Sequence, residues 1–127
     1  MPAVSVSTAP IGDAGAAAID EDHLSRMTLG DRRLEKEVLE IFMRQSGILL
    51  DRILRREPAT TAAAAHTLLG SARGIGAWRL AEAAVCLEQA AGKAGEEAEI
   101  EAAIGALKAA TLEATSAIGA LLARGLQ

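Results

Sequence analysis

Ile100, Ile104, Leu107, Thr111, Ala114, Ile118 and Leu121 follow one another in alternating steps of four and three. That spacing returns to one side of a 3.6-residue helix, which is how a bundle helix buries a stripe. A strand cannot use it, because its side chains alternate with a period of two. No segment of the chain alternates convincingly, and no repeat of 20–50 residues is present. Composition agrees. Half of the 127 residues are apolar, yet there is one Phe (Phe42), one Trp (Trp78) and no Tyr. Sandwiches and barrels draw on aromatic and β-branched residues, whereas Ala and Leu favour helices with thin contacts. The length suits one domain with a sizeable core.

Punctuation divides the helical part. Residues 1–18 mix Pro, Ser, Gly and Ala without a period and are expected to be a flexible tail. Asp20, Glu21 and Asp22 form an acidic first turn for a short helix ending near Gly30. Asp31 can cap a second helix running to about Glu57 and stopped by Pro58. Its inward residues are expected to be Leu34, Val38, Ile41, Phe42, Leu49 and Ile53, with Gln45 on the same side. A third helix is predicted over about Ala59–Arg73, ended by Gly74-Ile75-Gly76. A fourth is predicted over about Ala77–Ala91, with Leu80, Ala84, Leu87 and Ala91 on one side. Gly92-Lys93-Ala94-Gly95 reads as a turn, and the last helix as about Glu96–Arg124. The expected fold is all-α: an up-down-up-down four-helix bundle over residues 19–125 with a short extra N-terminal helix.

The formal charge of −4 disfavours general binding to nucleic acid or to an anionic membrane surface. No basic segment followed by a long apolar run marks a signal peptide, and no stretch approaches about 20 apolar residues, so a cytoplasmic location is expected. A single cysteine, Cys86, excludes an internal disulfide and a multi-Cys metal site. It reads as a small buried hydrophobe. Trp78 is expected to cover the end of the bundle. Arg52, Arg55 and Arg56 read as solvated charge at a helix C-terminus, and Glu96, Glu97, Glu99 and Glu101 as the acidic start of the last helix. His23 reads as a cap or surface residue. Gly74-x-Gly76 is no dinucleotide fingerprint, since no strand precedes it.

His66 is set apart by its neighbours. With ~100° of rotation per residue, Thr61, Ala65, Leu68, Ala72 and Ile75 make the core stripe of the third helix, and His66 points away from it. Leu69, Gly70 and Arg73 follow on its side. A mid-helix glycine costs about 1 kcal/mol relative to alanine, so Gly70 is odd in an alanine-built helix. An exposed imidazole beside a bare patch and a guanidinium suits a nucleophile that must meet an outside phosphoryl group. Spacing alone leaves a plain surface histidine next to an incidental glycine as the other reading.

The run Ala65-His66-Thr67-Leu68-Leu69-Gly70-Ser71-Ala72-Arg73-Gly74-Ile75-Gly76-Ala77, followed by Leu80, Cys86 and Leu87-Glu88, resembles the signature of histidine-containing phosphotransfer (HPt) domains. The similarity extends over about Ile19–Arg124, and the stretch from Ile19 to Asp31 resembles the entry helix of bacterial members. The resemblance implies that His66 is the phosphoacceptor. Gly70 would be the small residue where a partner docks, Glu88 would orient the imidazole, and Ser71 is a further supporting residue of the motif. Where the family usually carries lysine, this chain has Leu69, and Arg73 could partly replace that cation. The implied function is a carrier rather than an enzyme. It takes a phosphoryl group from the receiver-domain aspartate of a response regulator or hybrid histidine kinase and passes it to another receiver. No cofactor is expected on the chain itself, Mg²⁺ being brought by the receiver, and the chain is expected to be a monomer. Two other readings are a phosphoacceptor and dimerisation fragment of a histidine kinase, and a helical receiver-binding module without transfer.

Overall fold

The structure, a computed structural model, describes residues 18–92 and 96–125. Five helices follow in order: α1 (Glu21–Met27), α2 (Arg32–Leu54), α3 (Pro58–Ile75), α4 (Trp78–Gly92) and α5 (Glu97–Ala123). No strand occurs among the described residues. Residues 1–17 and the 93–95 part of the expected turn lie outside them. Ala18, assigned to the tail from sequence, is buried together with Ile19.

The helix starts follow the chemistry of their caps. Asp20 accepts from the His23 backbone N–H at 3.0 Å, and Asp31 accepts from those of Arg33 and Leu34. Each thereby satisfies donors that the first turn leaves unpaired. Glu96 donates its N–H to Glu99 Oε1 at 3.3 Å at the start of α5. Pro58 sits in the first turn of α3, where a missing N–H costs nothing. The second helix stops at Leu54, three residues before the expected Glu57, because Arg56 turns to a left-handed φ of 61°.

Helices α3 and α4 pack along each other, α5 lies against α4 and α2, α2 also meets α3, and α1 rests on α3. The stripe expected for α3 is buried, and so is that of α5 apart from Ile100, which is half-buried against the core. Thr61, Ala65, Leu68, Ala72 and Ile75 face the core, as do Ile104, Leu107, Thr111, Ala114, Ile118 and Leu121. In α5 an 18-residue window reaches a mean hydropathy of 1.2, so this helix has the length and composition of a span, contrary to the sequence reading. A core helix of a bundle meets the same criterion, and the stripe from Ile104 to Leu121 is packed inside.

In α2 the buried face is rotated from the expected one. Leu39, Phe42, Leu49 and Ile53 are inside with Glu35 and Ser46, whereas Leu34 and Ile41 are 40% and 51% exposed. The error has a physical source. Phe42, Leu49 and Ile53 are buried as expected and Val38 packs against the core, but the buried stripe continues through Leu39 and through two polar residues that a hydrophobic pattern does not register. Both polar side chains find partners. Thr28 Oγ1 donates to Glu35 Oε2 at 3.2 Å, and Ser46 Oγ donates to the Met43 carbonyl. Arg56, expected to be solvated, instead pairs with Glu97 and with Glu101, tying the end of α2 to the start of α5. Cys86 is exposed and not a buried hydrophobe, since it falls between the Ala84 and Leu87 positions that α4 turns inward.

Candidate phosphoacceptor site

Beyond Ala65, α3 turns His66, Gly70 and Arg73 to one outer face, and all three are exposed. The His66 side chain is 71% exposed, and its Nδ1 lies 2.9 Å from Glu88 Oε2 on α4. A carboxylate only accepts, so Nδ1 carries the hydrogen and donates it. In the neutral ring Nε2 is then the nitrogen with the free lone pair, and it points away from α4 toward solvent. Leu87 is fully buried, and this burial turns the next residue, Glu88, to the rim of α4 facing α3.

A Cβ built on Gly70 meets nothing within 4 Å, so the surface one turn beyond His66 is open. Gly70 is therefore not a packing glycine. Leu69 does not flank His66 on the outside as expected. It is 6% exposed and belongs to the core cluster, because it lies on the side of α3 that α4 covers. Ser71 faces the other way, toward α2, and its Oγ donates to Gln45 Oε1 at 3.1 Å. Beside this pair is an open groove of about 320 Å³ walled by Met27, Leu34, Val38, Ile41, Phe42 and Gly74. Leu34 and Ile41, expected in the core, thus wall a surface groove on the α2 side of the His66 helix.

The C-terminus of α3 is clasped by α1. Gly76 adopts φ 80°, and its carbonyl accepts from the Asp20 N–H at 2.9 Å. A Cβ at Gly76 would come within 2.9 Å of Asp20 Cβ and of the Asp20 carbonyl, so only glycine permits this approach. Trp78 Nε1 donates to Asp20 Oδ2 at 3.0 Å, and the His23 ring meets Trp78 edge-on at 4.9 Å. The Trp78 N–H, then the His23 backbone N–H, hold the Asp20 carboxyl below the ordinary value of 3.8. His23 is not a cap. Its Nε2 donates to the Arg73 carbonyl at 3.0 Å, fifty residues away. No sequence signal pointed to that contact. Trp78 closes this corner while remaining 43% exposed.

Neither a search of curated proteins nor one of solved structures returns a match to this chain. The family model described as Hpt domain matches residues 37–118, which take in most of α2, all of α3 and α4 and most of α5. The match covers well over half of the 127 residues and includes His66, Gly70 and Glu88, so the chain belongs to the Hpt domain family.

Proposed function

We propose that this chain is a phosphorelay carrier in which His66 receives a phosphoryl group from one receiver-domain aspartate and delivers it to another. Hpt domains act in phosphotransfer of two-component signalling. The observation that carries the assignment to His66 is its hydrogen bond to Glu88 at 2.9 Å combined with the open surface at Gly70. In the forward step the Nε2 lone pair attacks phosphorus, the Nε2–P bond forms, and the O–P bond of the aspartyl phosphate breaks, releasing the carboxylate. The hydrogen stays on Nδ1, donated to Glu88, whose charge offsets that developing on the ring. Positioning and charge stabilisation carry such a transfer. The receiver supplies the acidic pocket and Mg²⁺, and this chain supplies the imidazole.

The receiver would seat over Gly70 and across the groove beside Ser71, with the apolar wall of α2 as its contact. The domain comprises residues 19–125, folded as an up-down-up-down bundle with α1 as an appendage. The short connections and the packing of successive helices support that topology. It would act as a monomer in the cytoplasm, where receiver domains operate. The experiment is phosphorylation by a charged receiver followed by mass spectrometry. Wild type and His23→Gln should carry acid-labile phosphate, and His66→Gln should carry none while keeping its helical spectrum. Leu69 in place of lysine favours the second reading, a binding module that does not transfer. Receiver binding with no label on wild type would select it.

A further inference from the structure

We propose that Arg73 is the cation that holds the phosphoryl group on His66, taking the place of a charge that position 69 cannot supply. The inference rests on His66 being the phosphoacceptor. With Leu69 buried, no cation flanks the imidazole on the α4 side among the described residues, and Glu88 adds a negative charge there. A phosphoryl dianion on Nε2 therefore needs a partner from the open side. Arg73 follows His66 by seven residues on the same exposed face, about 10 Å along the helix axis. Long helical side chains lean toward the N-terminus, which for Arg73 is toward His66. Gly70 lies between them, and nothing stands within 4 Å of where its Cβ would be. No side chain at position 70 therefore stands between the guanidinium and the imidazole.

Two further observations agree. Arg32, Arg55, Arg56, Arg79 and Arg124 are each engaged by a carboxylate, whereas Arg73, like Arg33, Arg44 and Arg52, has no ion-pair partner among the described residues, so its guanidinium is not held elsewhere. The backbone beneath it is pinned, because His23 Nε2 donates to the Arg73 carbonyl. A planar guanidinium matches two phosphoryl oxygens at once, which a lysine does not. The glycine that leaves room for a partner would then also leave room for this arginine.

The test loads the whole chain with phosphoramidate, a small donor that needs no receiver. Its P–N bond breaks, ammonia leaves, and the Nε2–P bond forms on His66. Phosphorus NMR then follows the second ionisation of the phosphoryl group against pH. A neighbouring cation favours the dianion, so Arg73→Gln should titrate higher than wild type by roughly half a pH unit. Arg73→Lys should fall between the two, and added salt should shrink the difference. Equal circular dichroism spectra for the three proteins guard against a folding effect, which would not move a phosphoryl titration in this graded way. Identical titration in wild type and Arg73→Gln overturns the proposal, even if receiver-dependent transfer slows, since Arg73 would then serve docking alone. A wild-type chain that takes no phosphoryl group overturns both this proposal and the assignment of His66.

Discussion

His66 Nδ1 and Glu88 Oε2 stand 2.9 Å apart across the α3–α4 contact, although 22 residues separate them in the chain. The bond selects one tautomer, turns the ring, and leaves Nε2 free. Glu88→Ala should therefore slow transfer from a phosphorylated receiver by roughly tenfold or more, as losses of partners that orient an imidazole do elsewhere. Glu88→Gln, whose carbonyl oxygen still accepts from Nδ1, should recover part of the rate. Both side chains are at the surface, so melting temperatures should stay close to wild type. Stopped-flow or quenched transfer assays check the ordering, and equal rates for all three proteins would exclude an orienting role.

Gly70 offers a separation of stability from transfer. Gly70→Ala places a methyl in open space within a helix and should stabilise the fold by up to ~1 kcal/mol. Gly70→Gln should also fold, yet transfer slowly, because the longer side chain fills the space above the imidazole. Thermal melts beside transfer rates check both. If Gly70→Gln transfers at the wild-type rate, the receiver does not approach over this face.

Leu69→Lys would bring back the cation usual in the family, but the side chain it replaces is buried against α4. The lysine stem can cover part of that apolar surface while its ammonium reaches water. A net loss of about 1–2 kcal/mol is expected from the remaining apolar area and the strain of the exit. Urea denaturation should show a lower midpoint at an unchanged slope. An unaltered midpoint would mean that the flank is looser than its burial indicates.

Asp20 gives the α1 clasp a pH dependence. Its folded-state carboxyl lies below the ordinary 3.8, held there by the Trp78 N–H first and the His23 backbone N–H second. A depressed carboxyl contributes stability above its unfolded value, and that contribution disappears as the pH falls through the folded one. Wild type should therefore exceed Asp20→Asn in stability at neutral pH and converge with it as the pH falls below 3.8 and through the lower folded-state value. The group is largely solvated, so the gap will be small. Melting both proteins across that range checks the sign, and a gap that widened in acid would contradict it.

At Gly76 the conformation and the contact make the same demand. Gly76→Ala should cost several kcal/mol, because the left-handed φ and a Cβ 2.9 Å from Asp20 act together. Limited proteolysis near residue 20 should accelerate in that variant. Resistance equal to wild type would show that α1 can dock without the Asp20–Gly76 approach.

Local chemistry in the chain decided the helix starts at Asp20, Asp31 and Pro58, the end at Gly76, the stripe from Ile104 to Leu121 and the outward direction of His66. Each depends on interactions within about one turn or on a single unambiguous period, so neighbours in sequence suffice. In α2 the buried stripe runs through Glu35 and Ser46, which a hydrophobic pattern does not register. Which residues turn inward depends on what α3 and α5 place against them, and on Thr28 reaching Glu35. The same limit applies at the site. His66, Gly70 and the nearby Glu88 were legible in the motif, but the burial of Leu69 is fixed by how closely α4 lies along α3. The link from His23 to the Arg73 carbonyl spans fifty residues and has no local sequence pattern, because only docking of α1 on the end of α3 brings the two together.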